Sequence, residues 1–214
     1  MLAYSMGCNE TGAFAHDWYY TMNDPRNTMR FITNLKNDIP PYHAPEVIHR
    51  SEIELYNVLR EDFSRIIARD RQCGDDGRFV VCGVPRSKRE ASYPYSQMGL
   101  KRTIRRAVTG FENLLDGLDY IVRHTDTKCT HRARSGHGGA GEMPRLGLIK
   151  DTCHLSGSIY GQKILLVDDI YTAGVGIDED AIGALYGAGA REVVFYSVGF
   201  TKKRLGTNNN VMVI

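Results

Sequence analysis

Residues 164–176 read Ile164-Leu165-Leu166-Val167-Asp168-Asp169-Ile170-Tyr171-Thr172-Ala173-Gly174-Val175-Gly176. An unbroken apolar run that ends in acids is the pattern of a strand buried on both faces. It delivers two carboxylates at its C-terminal end, where ligands of open α/β sheets bind. A turn of small residues, Thr172 to Gly176, follows at once and opens a helix. Small side chains let backbone N–H groups close on an anion, and a helix N-terminus adds a favourable dipole. Carboxylates beside such a cradle suit sugar hydroxyls, so the local chemistry suggests a phosphorylated sugar.

Working outward, the spacing predicts strands over 163–169 and 192–198 with a helix over 174–188 between them. Strand, helix, strand in that order indicates a parallel sheet. Upstream, 78–84 is β-branched and apolar and ends at Pro85, which predicts another buried strand. A helix is expected over 52–69, with Ser51 and Glu54 as a capping box and Leu55, Leu59, Phe63, Ile66 and Ile67 on one face. A second amphipathic helix is expected over 97–118, with Leu100, Ile104, Val108, Phe111 and Leu115 as its apolar stripe. Lys101, Arg102, Arg105 and Arg106 lie opposite, as a solvated face or as a patch for phosphate or a partner. A strand is expected over 120–124.

Two stretches resist this treatment. Residues 125–160 show no sustained period and hold six glycines and one proline. A loop of that length inside a compact domain points to function. Residues 1–50 are irregular, punctuated by Asn23-Asp24-Pro25, Pro40-Pro41 and Pro45, with Phe14, Trp18, Tyr19 and Tyr20 to pack them down. The expected division is therefore an N-terminal segment and helix over 1–75, forming a hood, and a core over 76–214.

The chain has 214 residues, 42% hydrophobic and 24% charged, with net charge +2, which describes a globular domain. So little net charge argues against a protein that lives on nucleic acid. Five scattered cysteines without a C-x-x-C pair argue against a disulfide framework or structural zinc. No 18-residue apolar run is present, and residues 1–7 lack the pattern of a signal peptide. A cytoplasmic location is the expectation. Of the 22 glycines, 12 fall between residues 131 and 189, around the acidic strand end.

Two rival motifs fail. A response-regulator receiver also has an apolar strand ending in two acids, but there it opens the domain, and only 45 residues follow Asp169 here. A Walker loop needs Gly-Lys-Ser or Gly-Lys-Thr, which the sequence lacks.

Residues 164–176 resemble the phosphoribosyl-pyrophosphate (PRPP) signature of type I phosphoribosyltransferases: an apolar strand, Asp-Asp, two residues, then a Thr, small residue, Gly turn. The likeness is specific over this stretch, and element order extends it over about 78–200. It implies an α/β fold, a parallel-sheet core of that family with the N-terminal hood. It implies that Asp168 and Asp169 bind the ribose hydroxyls. It implies that Thr172, Ala173, Gly174, Val175 and Gly176 bind the 5′-phosphate. Many members carry hydroxyl residues where Ala173 and Gly176 stand. Orotate phosphoribosyltransferases resemble the chain more closely in Thr-Ala-Gly but have Thr where Val175 stands. Phosphate is thus left to backbone amides and the Thr172 hydroxyl.

The same resemblance implies a pyrophosphate loop after the first core strand, at Arg86, Ser87 and Lys88, whose cations suit phosphate. It also implies a loop that closes over PRPP, placed at 124–142. There His131, Arg132, Arg134 and His137 supply donors to departing pyrophosphate, with Arg132, Arg134 and His137 as the catalytic residues. His137-Gly138-Gly139-Ala140-Gly141 faintly resembles the His-Gly-x-Gly-Gly of orotate enzymes. Arg123, Thr127 and Thr130-His131 resemble the competence-associated group. The implied partners are PRPP and a small-molecule acceptor, with a homodimer allowed and no membrane. Magnesium, carried by PRPP, is the implied cofactor. The purine-salvage members have an acid where Thr172 stands, so hypoxanthine and guanine are disfavoured. The alternative to a transferase is a non-catalytic PRPP- or nucleotide-binding regulatory or competence-type protein of the same fold.

Overall fold

A computed structural model describes residues 1–6, 11–21, 24–128, 141–143, 145, 147–202 and 212–213. The order of elements is β1 (Leu2–Met6), β2 (Thr11–Tyr19), α1 (Arg30–Lys36), α2 (Pro45–Gln72), β3 (Phe79–Gly83), α3 (Gly99–Val108), β4 (Leu114–Asp116) and β5 (Ile121–Arg123). Then come α4 (Leu148–Thr152), β6 (Cys153–Leu155), β7 (Lys163–Tyr171), α5 (Ile177–Gly187), β8 (Glu192–Thr201) and β9 (Met212–Val213). Seven strands form one sheet in the order β4-β3-β7-β8-β2-β1-β9. Its five central and edge strands from β4 to β2 are parallel, and β1 and β9 add antiparallel at the far side. This is a mixed α/β architecture with a mostly parallel central sheet.

The alternation of side chains along β7 divides the molecule into two cores. Leu165 and Val167 pack with α1, α2 and α3 on one face, through Leu35, Leu59, Phe63 and Ile104. Ile164 and Leu166 pack on the other face with α5, through Ala181, Ile182 and Leu185, and with Ile121 and Ile149. Both faces of β7 are thus dry, as its apolar run requires.

Several expectations change. Residues 1–50, read as irregular, hold β1 and β2, and β2 pairs parallel with β8, Ala15 opposite Ser197. The segment 1–75 therefore supplies strands to the main sheet as well as α1 and α2 on one face. Alanine and glycine in 11–15 gave little β signal, and the partner strand lies near the other end of the chain. The capping box also fails. α2 starts at Pro45, with Ala44 as its cap, because proline is pre-shaped for the first helical position. Ser51 lies inside that helix, where its hydroxyl donates to the Val47 carbonyl.

The helix expected over 97–118 ends at Val108. The chain then turns at Gly110 and forms β4, pairing Leu114 with Phe79, and Leu115 is exposed. The pattern of Phe111 and Leu115 mimicked a helical stripe across a change of element. The strand at 120–124 forms, but β5 pairs antiparallel with β6 in a separate two-stranded sheet. The stretch 125–160 contains α4 and β6. α5 starts at Ile177, which leaves 174–176 as turn. No helix among the described residues is long and apolar enough to cross a membrane.

Candidate functional site

A cleft of about 430 Å³ opens at the C-terminal ends of β3 and β7. Its floor holds Asp168, Asp169, Thr172, Gly174, Val175 and Asp178, and its walls include Lys36, Arg86, Ser87, Arg123 and Lys128. The sheet places it here because β7 is central and its final turns outrun the apolar run. Consecutive strand residues point to opposite faces. Asp169 accordingly meets α1, where the Lys36 ammonium lies 2.7 Å from its Oδ2. Asp168 faces the α5 side, where Asp178 lines the same cleft.

The turn after β7 is built for a backbone cradle. Val175 N–H donates to the Thr172 carbonyl at 3.1 Å, and Gly174 and Gly176 take φ of +82° and +85°. Those positive values need glycine. Among the described residues the amides of Ala173, Gly174 and Gly176 have no acceptor. The Thr172 hydroxyl is held sideways by Thr201, Oγ1 to Oγ1 at 2.7 Å.

The 84–89 turn presents itself differently from expectation. Arg86 is tied down: its guanidinium donates to the Gln97 carbonyl and to Asp38, and it stacks over the Tyr93 ring at 3.9 Å. Ser87 lines the cleft, while Lys88 is exposed and lines a small side chamber beside it. The nearest buried guanidinium is Arg123, 5% exposed, which donates to the Arg86 carbonyl at 2.5 Å and the Thr152 hydroxyl at 2.6 Å. Burial lowers its proton affinity below the usual arginine value.

No protein-family model and no curated protein matches this chain.

The expected closing loop is described only at its two ends. His131, Arg132, Arg134 and His137 lie outside the described residues. The ends meet at the cleft: Lys128 N–H donates to the Glu142 carbonyl at 3.0 Å. Thr127 N–H donates to the Ser87 carbonyl at 2.7 Å. Gly141, at φ +109°, packs so closely that a Cβ would stand 2.7 Å from the Asp126 carbonyl oxygen. Lys128 and Met143 line the cleft.

The basic run on α3 is absorbed internally. Lys101 binds Glu90 and Asp119, Arg102 binds Glu52, and Arg105 binds Asp116 and Asp119. Arg106 stacks over Tyr56 at 4.4 Å. It is a paired, mostly solvated face.

Electrostatically the floor is acid-rich. Burial, then the neighbouring Asp169 charge, pushes the Asp168 carboxyl up to about 7, with Lys36 pulling the other way. Burial and then Asp168 push Asp178 well above the carboxylate range. Burial disfavours the Lys36 charge, but Asp169 outweighs it and Lys36 ends above its ordinary value. A carboxylate cluster that could take a cation, Asp70, Asp75 and Asp76, lies at the opposite end of β7, where Lys163 already sits on the first two.

Sequence reading found the strand end and the turn, and named Arg123 only as part of a family resemblance, but missed Lys36, Asp38 and Asp178. Lys36 and Asp38 sit in an unpatterned stretch. Asp178 did carry a signal: Asp178, Glu179 and Asp180 crowd the first helical turn just where an anion is expected.

Proposed function

We propose that the chain is a phosphoribosyltransferase of the type I kind, moving ribose 5-phosphate from PRPP to a nitrogen nucleophile with release of pyrophosphate. The observation that carries this is the convergence of two strand-end carboxylates and a turn with three free amides on one cleft. Asp168 and Asp169 hydrogen-bond the ribose hydroxyls, and the amides of Ala173, Gly174 and Gly176 receive the 5′-phosphate. Magnesium arrives as part of the substrate. The nitrogen lone pair forms a bond to C1 as the C1–O bond breaks. Pyrophosphate leaves with that electron pair, and the nucleophile releases its proton. Arg123 and Lys128 lie on the wall where the leaving group's charge grows, so catalysis is mostly positioning and electrostatic. Lys36 and Asp38 give the N-terminal segment the covering role of a hood over the acceptor.

Incubation with PRPP, magnesium and a panel of nucleobases, following pyrophosphate, tests this. Release with one acceptor is the expected result. Arg86 favours a second reading, because its guanidinium is already engaged with Asp38, the Gln97 carbonyl and the Tyr93 ring. Tight PRPP binding with no release for any acceptor would replace the transferase by a PRPP-binding regulatory protein.

A further inference from the structure

The two acids that end β7 look alike in sequence but have opposite neighbours. Asp169 lies against a cation from the N-terminal segment, Lys36, and both side chains are largely buried, at 14% and 16% exposure. Asp168 has another carboxyl beside it in the cleft lining, Asp178, which is 1% exposed. Among the described residues no cation pairs with Asp178, and its Oδ1 has no hydrogen-bond partner although it is buried. Two neighbouring carboxylates out of water cannot both stay ionised without a counter-charge.

The surroundings supply one, Lys36, and it is paired with Asp169. From α5, Glu179 accepts from the Tyr171 hydroxyl of β7 at 2.8 Å, and Asp180 accepts from the Gly147 and Ile149 amides. From β1 the Tyr4 hydroxyl is neutral and buried, and from β8 Ser197, opposite Asp168 in register, is fully buried. The one nearby ammonium, Lys36, is on Asp169. Acid thus outnumbers base on this floor.

Resting on the reading of the cleft as a PRPP site, we propose that Lys36 and Asp178 are positioning residues that make the two acids unequal. Lys36 holds Asp169 as an ionised acceptor, and Asp178 shares one proton with Asp168. Neighbouring hydroxyls of a ligand then meet one bare carboxylate and one proton-bearing acid pair. A hydroxyl can accept as well as donate, so the arrangement selects a vicinal diol over a single hydroxyl or a second anion. The shared proton also removes a negative charge within the first helical turn beyond the phosphate turn, where a bare Asp178 would repel the 5′-phosphate.

Two measurements test this. Infrared spectra of the full chain at pH 7 should show the carbonyl band of a protonated carboxylic acid, and Asp178→Asn should remove it. Titration calorimetry with PRPP and magnesium between pH 7 and 8.5 should show wild-type affinity falling by up to about tenfold per pH unit, the limit for one proton. Asp178→Asn keeps a donor and should flatten that dependence. Lys36→Met should weaken PRPP at every pH by about tenfold, the scale of one charged hydrogen bond, and Lys36→Arg should recover most of it. Absence of the acid band in wild type overturns the shared proton whatever the ligand, and it needs no folded variant. A band present with pH-independent binding overturns its role toward the ligand. PRPP binding at no pH overturns the proposed function and the diol selection with it, while the band still decides the acid pair.

Discussion

β7 carries charge at both ends, and the two ends are managed in opposite ways. At its start Lys163, with a side chain 4% exposed, is surrounded by Asp70 at 2.5 Å, Asp75 at 2.6 Å and Glu192 at 3.1 Å. Three carboxylates thus surround one ammonium. At its finish Asp168, Asp169 and Asp178 face a cleft with one ammonium among them and a buried oxygen left unpartnered. A satisfied charge cluster fixes structure. An unsatisfied one beside open space is kept for something that binds.

The strongest way to break this contrast is at the acid end. Asp168→Asn with Asp169→Asn should lower PRPP affinity by about a hundredfold, since the hydrogen bonds of the ionised Asp169 and of the Asp168 pair are both lost. Calorimetry measures it, and unchanged affinity would show that the cleft's acids do not touch the ligand. At the other end Lys163→Met should destabilise the fold by about 2 kcal/mol in urea unfolding, because carboxylates lose a buried partner. Its PRPP affinity should stay within about twofold of wild type, as the site lies at the far end of the strand.

A smaller and sharper test uses pH. Asp168 holds its proton up to about 7 when folded, against an ordinary value of 3.8, so the folded chain binds more protons in that window. Unfolding free energy must then fall as pH rises from about 4 to about 7 on account of this end. Asp75 is the reverse. Its hydrogen bond from Lys163 lowers it, so its contribution is present above its ordinary value of 3.8 and is lost as pH falls below that. Urea unfolding across this range should show the first slope weakened in Asp178→Asn and unchanged in Lys163→Met. The smallest effect belongs to Arg105→Ala on α3, whose partners Asp116 and Asp119 are solvated. Stability should change by less than about 1 kcal/mol, and PRPP affinity should not change.

Legibility in the sequence followed locality. The stretch 163–171 was readable because an apolar run constrains its own burial, and the turn because glycine at positive φ is a local need. Boundaries failed where two elements shared one pattern, as at Phe111 and Leu115, or where a side chain served tertiary structure, as Ser51 does inside α2. Arg86 was readable as a cation but not as one already spoken for, because Asp38 and Gln97 come from other elements.

By itself the sequence determined a central acidic strand, a small-residue turn and a parallel αβ order, all set by hydrophobic burial and backbone sterics within short spans. Only the tertiary structure decided that residues 2–19 complete the sheet, and that Lys36 and Asp178 flank the two acids from opposite faces. Those meetings join residues far apart in the chain, or across the sheet's two faces. Electrostatic partnership depends on distance and burial in space, which no local pattern of residues encodes.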